Sequence, residues 1–111
     1  MNTAFAKSKY ARVSPRKARL AADIIRGLPV DQALFQLTHC QQKGGRFLTE
    51  TLNSAIANGE SQKEMRRENM IVAEVRVDEG SRLKRAKPKN KGGRHPITKR
   101  TSHFTVVVSE R

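Results

Sequence analysis

Apolar residues recur along this chain with two different periods, and the change of period divides it into a helical first half and a β-rich second half. Ala18, Ala21, Ala22 and Ile25 stand at i, i+3, i+4 and i+7, which lines them up on one face of an α-helix. Ser14 and Pro15 provide its start, because the hydroxyl can accept an early backbone N–H and proline fills a position whose own N–H has no helical partner. Gly27 provides a left-handed stop from which Leu28 folds back, and Arg16, Arg19 and Arg26 fall off the apolar stripe. After Pro29 the same spacing in Val30, Ala33, Leu34 and Leu37 predicts a second helix over 30–39. Residues 41–45 read as a connector, and Leu48, Leu52, Ala55 and Ile56 predict a third helix ending near Asn58 and Gly59. The polar stretch 60–69 reads as a loop or one extra turn.

From Ile71 the period becomes two, with Ile71, Ala73, Val75 and Val77 expected on one face of a strand and Glu74, Arg76 and Asp78 on the other. Near the end, Phe104, Val106 and Val108 alternate with Thr105, Val107 and Ser109, and the density of β-branched residues marks a central strand. Residues 5–13 suit an edge strand. Between the two strong strands, Pro88, Asn90, Gly92, Gly93 and Pro96 predict a chain reversal near 90–93. The segment 80–100 is then a hairpin whose arms, ten residues or so at roughly 3.3 Å each, carry the tip about 30 Å from the body.

Charge turns this hairpin into the chain's most telling feature. Arg82, Lys84, Arg85, Lys87, Lys89, Lys91, Arg94, Lys99 and Arg100 follow one another with no acidic residue among them. They account for nine of the thirteen net positive charges, since the remaining Lys and Arg are largely offset by ten Asp and Glu. No core can absorb such a run, and a two-stranded ribbon of this composition is marginal in water and repels itself. It needs a dense polyanion, of which nucleic acid is the commonest. Lys7, Lys9, Arg12, Arg16, Lys17 and Arg19 form a second basic group across the first strand and helix. With no Trp and a scatter of Phe5, Phe35, Phe47, Phe104 and Tyr10, the pattern predicts phosphate and shape recognition rather than an aromatic platform for bases.

The remaining chemistry is sparse. His39, His95 and His103 lack metal-ligand spacing, and the lone Cys40 excludes an intramolecular disulfide and fits a reducing compartment. No catalytic trio, phosphate loop or membrane span can be read, and the opening residues hold no apolar export segment. The chain is expected to be one soluble, unexported domain over residues 1–111, with 80–100 as its arm. Charge and arm alone leave two readings open, an RNA-binding protein and a basic-armed architectural DNA-binding protein. A small hydrolase or transferase is a third reading, for which no convergent polar set is visible.

Four separated motifs narrow this. Val13-Ser14-Pro15-Arg16-Lys17-Ala18-Arg19-Leu20 with Ala22-Asp23-Ile24-Ile25-Arg26-Gly27, then Leu52-Asn53-Ser54-Ala55-Ile56-Ala57-Asn58, then Val77-Asp78-Glu79-Gly80, then Lys99-Arg100-Thr101-Ser102-His103 with Thr105-Val106-Val107-Val108 together resemble the large-subunit ribosomal protein twenty-two family, in that family's order. The resemblance implies an α+β fold, three helices packed on a three-stranded antiparallel sheet with a long protruding basic β-hairpin. It implies a cytoplasmic, non-catalytic constituent of the ribosome with no cofactor and no metal. Its partners would be large-subunit ribosomal RNA, neighbouring ribosomal proteins and the nascent polypeptide, which the arm would meet at the wall of the exit tunnel. The tip would be Pro88, Lys89, Asn90, Lys91, Gly92, Gly93 and Arg94, with Lys84, Arg85, Pro88 and Gly92 matching the family's arm pattern. Ser81 stands where the family often has Pro, Lys87 where an apolar residue is usual, and Gly93-Arg94-His95-Pro96 replaces an arginine- and alanine-rich run.

Overall fold

Ser14, extended at φ −69° and ψ 140°, accepts the Lys17 N–H on its hydroxyl and opens helix α1 (Pro15–Ile25) where the Ser-Pro pair predicts it. The computed structural model describes residues 2–40, 43–80, 83–88 and 94–110. Ala18, Ala21, Ala22 and Ile25 form the fully buried stripe. Gly27 follows at φ +80°, a left-handed conformation that a Cβ would strain, and its N–H donates to the Val72 carbonyl. Helix α2 (Val30–Thr38) buries Val30, Ala33 and Leu37. Helix α3 (Lys43–Gln62) buries Leu48, Leu52, Ala55 and Ile56.

Both ends of α3 correct the sequence expectation. Gln41 and Gln42 of the expected 41–45 connector lie outside the described residues, but Gly44 and Gly45 belong to the helix. A Cβ on Gly44 would sit 3.0 Å from the Ala18 Cα, so this glycine serves close backbone approach of α1 and α3 rather than a turn. At the other end the helix continues through Asn58 and Gly59 to Gln62. Gly59 leaves room for the Met65 and Met70 side chains, and its carbonyl accepts the N–H groups of Lys63 and Met65. A 3-10 turn, Arg67–Asn69, then leads into the sheet.

Strands β1 (Thr3–Ala11), β2 (Met70–Glu79) and β5 (Ser102–Glu110) form an antiparallel sheet in the order β1-β5-β2, while β3 (Leu83–Pro88) and β4 (Arg94–Lys99) make a separate two-stranded ribbon. As its composition predicts, β5 is central. Its Phe104, Val106 and Val108 are fully buried, Phe104 stacking on Phe47 at 6.2 Å between centroids. Each such side chain stabilises the body by about 1.5–3 kcal/mol relative to exposure. On β2 the expected alternation fails halfway. The register passes from Val72 opposite Val108 to Glu74 opposite Val107, so a bulge shifts the phase. Met70, Val72, Val75 and Val77 are therefore the buried set, and Ala73 is exposed.

The three helices cover one face of the sheet. Gly80 donates to the Thr101 carbonyl where β2 and β5 give way to the ribbon. The described residues extend 62 × 26 × 15 Å with a radius of gyration of 17.0 Å, against about 13 Å for a compact chain of this length. The ribbon is thus a projection, as the resemblance implies.

Candidate nucleic-acid interface

The arm's backbone pairing sets Leu83 opposite Lys99, Lys84 opposite Thr98, Arg85 opposite Ile97, Ala86 opposite Pro96, Lys87 opposite His95 and Pro88 opposite Arg94. None of these six described positions sets two Lys or Arg across from each other, which spares that part of the ribbon its most direct like-charge pairs. Of the sequence-predicted arm residues, Lys84, Arg85, Lys87, Arg94 and Lys99 therefore occupy defined strand positions, and Arg100 follows as an exposed residue. Arg82 and most of the expected tip, Lys89, Asn90, Lys91, Gly92 and Gly93, lie outside the described residues.

Two stretches of the chain, 1–22 and 80–109, contain no Asp or Glu, and together they hold fifteen of the 23 Lys and Arg. The other eight face all ten acidic residues. Folding joins the two stretches, because β1 pairs along β5 and Ala11 lies opposite Ser102. The buried Ser102 hydroxyl donates to the Val13 carbonyl at 2.6 Å, fixing the entry to α1 at the same end of the sheet. Lys9, Arg12, Arg16 and Lys17 thus gather with Arg100 around the root of the arm, all exposed, and Lys7 lies further along β1 with its Nζ 5.9 Å from the centre of the Phe5 ring. Asp78 and Glu79 approach the root from the β2 side, whereas Glu110 sits at the far end, its carboxylate accepting the Arg66 N–H.

Arg19 is placed differently. Its Nε and Nη2 both donate to the Val77 carbonyl, at 3.3 and 3.1 Å, and about two turns later Arg26 Nη2 donates to the Val75 carbonyl at 2.9 Å. Arg26 also pairs with Asp23. With Gly27 N–H on the Val72 carbonyl and Val72 N–H on the Leu28 carbonyl, the outer edge of β2 is closed. This role was invisible in the sequence, where both arginines read simply as cations off the apolar stripe.

At the opposite edge the structure brings one of the scattered aromatic residues against a histidine. The register shifts by one residue between Ser8 and Ala11. In that bulge Tyr10 adopts φ +61°, with its N–H donating to His103 Nδ1 at 3.1 Å. The two rings meet edge-on, 4.8 Å between centroids and 89° between planes, yet Tyr10 is 60% exposed. A single tyrosine among basic residues gave no periodic signal.

Catalytic geometry does not assemble among the described residues. His39 Nδ1 donates to the Phe35 carbonyl and the ring packs on that of Phe35, while the roughly 400 Å³ hollow that Cys40 shares with Leu37, Thr38, Arg46, Thr49 and Glu50 has no imidazole in its lining. Among the described residues no group of three His, Cys, Asp or Glu could hold a metal ion, and no helix is long and apolar enough to cross a membrane.

Comparison with known proteins follows the same lines. The profile of the family described as Ribosomal protein L22p/L17e matches residues 6–109. The large ribosomal subunit protein uL22 of Protochlamydia amoebophila is 68% identical over 109 residues, covering 98% of each chain. The proteins of the same name from Chlamydia trachomatis and Chlamydia pneumoniae are 56% and 55% identical over 106 residues, covering 96% of each chain.

Proposed function

The chain belongs to the ribosomal protein L22p/L17e family, and from that membership we propose that it is a non-enzymatic structural constituent of the large ribosomal subunit, in the cytoplasm, bound to the subunit's RNA. Its neighbours there are ribosomal RNA and other ribosomal proteins. The arm, as the resemblance implies, reaches the wall of the peptide exit tunnel and meets the nascent polypeptide with the tip formed by 88–94, and the body helps organise RNA during assembly.

One observation carries the RNA reading: two acid-free basic stretches, remote in sequence, converge on the root of a projecting ribbon. Phosphates answer such a surface because contacts with Lys and Arg are cumulative and need no base order. The binding set is Lys7, Lys9, Arg12, Arg16 and Lys17 on the body, with Arg19 contributing the part of its guanidinium that Val77 does not hold. On the arm it is Arg82, Lys84, Arg85, Lys87, Lys89, Lys91, Arg94, Lys99 and Arg100. If the nine arm cations each neutralise one phosphate, the logarithm of affinity falls against the logarithm of salt with a slope of magnitude roughly 6 to 8.

Sedimentation of a cell lysate tests the assignment. The protein is expected to travel with large ribosomal subunits and to stay there after DNase treatment. Release by DNase, with recovery on DNA, would replace this reading by an architectural DNA-binding one.

A further inference from the structure

We propose that Tyr10, braced edge-on by His103, stacks an unpaired base of the bound RNA at the root of the arm. The inference deepens the RNA-binding reading and rests on it. A tyrosine at positive φ is an uncommon and strained conformation, and here two contacts to one residue hold it: the Tyr10 N–H on His103 Nδ1 and the perpendicular ring contact. The N–H fixes the neutral imidazole with its proton on Nε2, which orients the histidine ring. Bulges of this kind re-aim a side chain next to functional sites. This one turns an aromatic ring outward instead of packing it, leaving Tyr10 60% exposed, as Phe5 is on the same strand, whereas Phe47 is packed on Phe104.

The surroundings select the occupant. Exposed Lys9, Arg12 and Arg100 adjoin the bulge and the start of β5, so a ligand reaching the ring enters a cationic setting. An apolar protein surface would have to strip water from those charges. A nucleotide places its phosphate among them and its base on the ring, the arrangement by which basic grooves with aromatic steps hold single strands. The base must be unpaired, because a ring on the protein surface reaches only a base already out of its helix.

The test compares the full chain with its Tyr10→Phe and Tyr10→Leu variants in binding protein-free large-subunit ribosomal RNA across a salt series. Irradiation of the wild-type complex at a wavelength that joins bases to touching side chains is followed by mass spectrometry of the peptides. Tyr10→Phe should bind as wild type does. Tyr10→Leu should bind about five- to 150-fold more weakly with an unchanged salt slope, because stacking releases no counterions. A nucleotide adduct should map to Tyr10 in the wild-type chain, a readout that needs no variant to fold. Wild-type binding by Tyr10→Leu, or adducts elsewhere with none on Tyr10, would overturn the stacking while leaving the RNA reading intact. Failure of the wild-type chain to bind the RNA at all would overturn both.

Discussion

Along one edge of the sheet β2 has the outer carbonyls of Val72, Val75 and Val77 occupied by Gly27, Arg26 and Arg19, whereas along the other edge β1 and the residue just past it offer Lys7, Lys9 and Arg12 to solvent, with Asn58 Nδ2 on the Phe5 carbonyl. Both edges are rich in cations, yet the cations act in different ways. On β2 the guanidinium groups complete the fold, supplying donors where a neighbouring strand would have supplied them. On β1 the charges guard the edge only by being solvated and mutually repulsive, which leaves them available to an anion. Residue type does not separate a structural arginine from a phosphate-binding one; the backbone group facing it does.

The strongest challenge to this contrast is to remove the closing donors. Replacing Arg19 and Arg26 together by Ala should lower the unfolding free energy by about 2–3 kcal/mol, since each is a charge-assisted bond weakened by partial exposure. Urea denaturation measures this, and the matched pair Lys9→Ala with Lys17→Ala should cost under about 0.5 kcal/mol. Equal losses from both pairs would erase the distinction. A smaller effect is expected from Gly27→Ala, about 1 kcal/mol for a Cβ forced into the left-handed region, read as a lowered melting temperature with little change in RNA affinity. On the β1 side, Asn58→Ala should cost only about 0.5 kcal/mol, because water can replace the amide at the exposed Phe5 carbonyl. The smallest effect on stability comes with the clearest effect on binding. Lys9→Ala with Arg12→Ala should leave the melting curve in place and reduce the salt slope for RNA by about 2, while Arg26→Ala should leave that slope alone.

Much of this architecture is legible in the residues. The Ser14-Pro15 start, the stripe from Ala18 to Ile25 and the left-handed Gly27 depend on neighbours within a turn or two, so local rules suffice for α1. The β-branched run in β5 likewise announces a buried centre. What escapes local reading is decided across the fold. Gly44 and Gly59 look like helix breakers because the partners that need their missing side chains, Ala18 and the pair Met65 and Met70, lie outside α3 and meet it only in the folded chain. The phase of β2 is misjudged because the bulge at Ala73 and Glu74 allows Val72 and Val75 to share a face. The candidate interface divides in the same way. A run of like charges stands out in any listing of the chain, but the outward Tyr10 ring exists only because β1 gains a residue against β5.

The pairing of the arm carries a consequence of its own. A slip of one residue in one direction would bring Lys87 level with Arg94, and a slip in the other would bring Lys84 level with Lys99, whereas the observed alignment meets neither collision. Repulsion, usually the force that makes a cationic ribbon hard to form, here works as a ruler: it penalises the two nearest misalignments and so helps the finger keep a single count along its length.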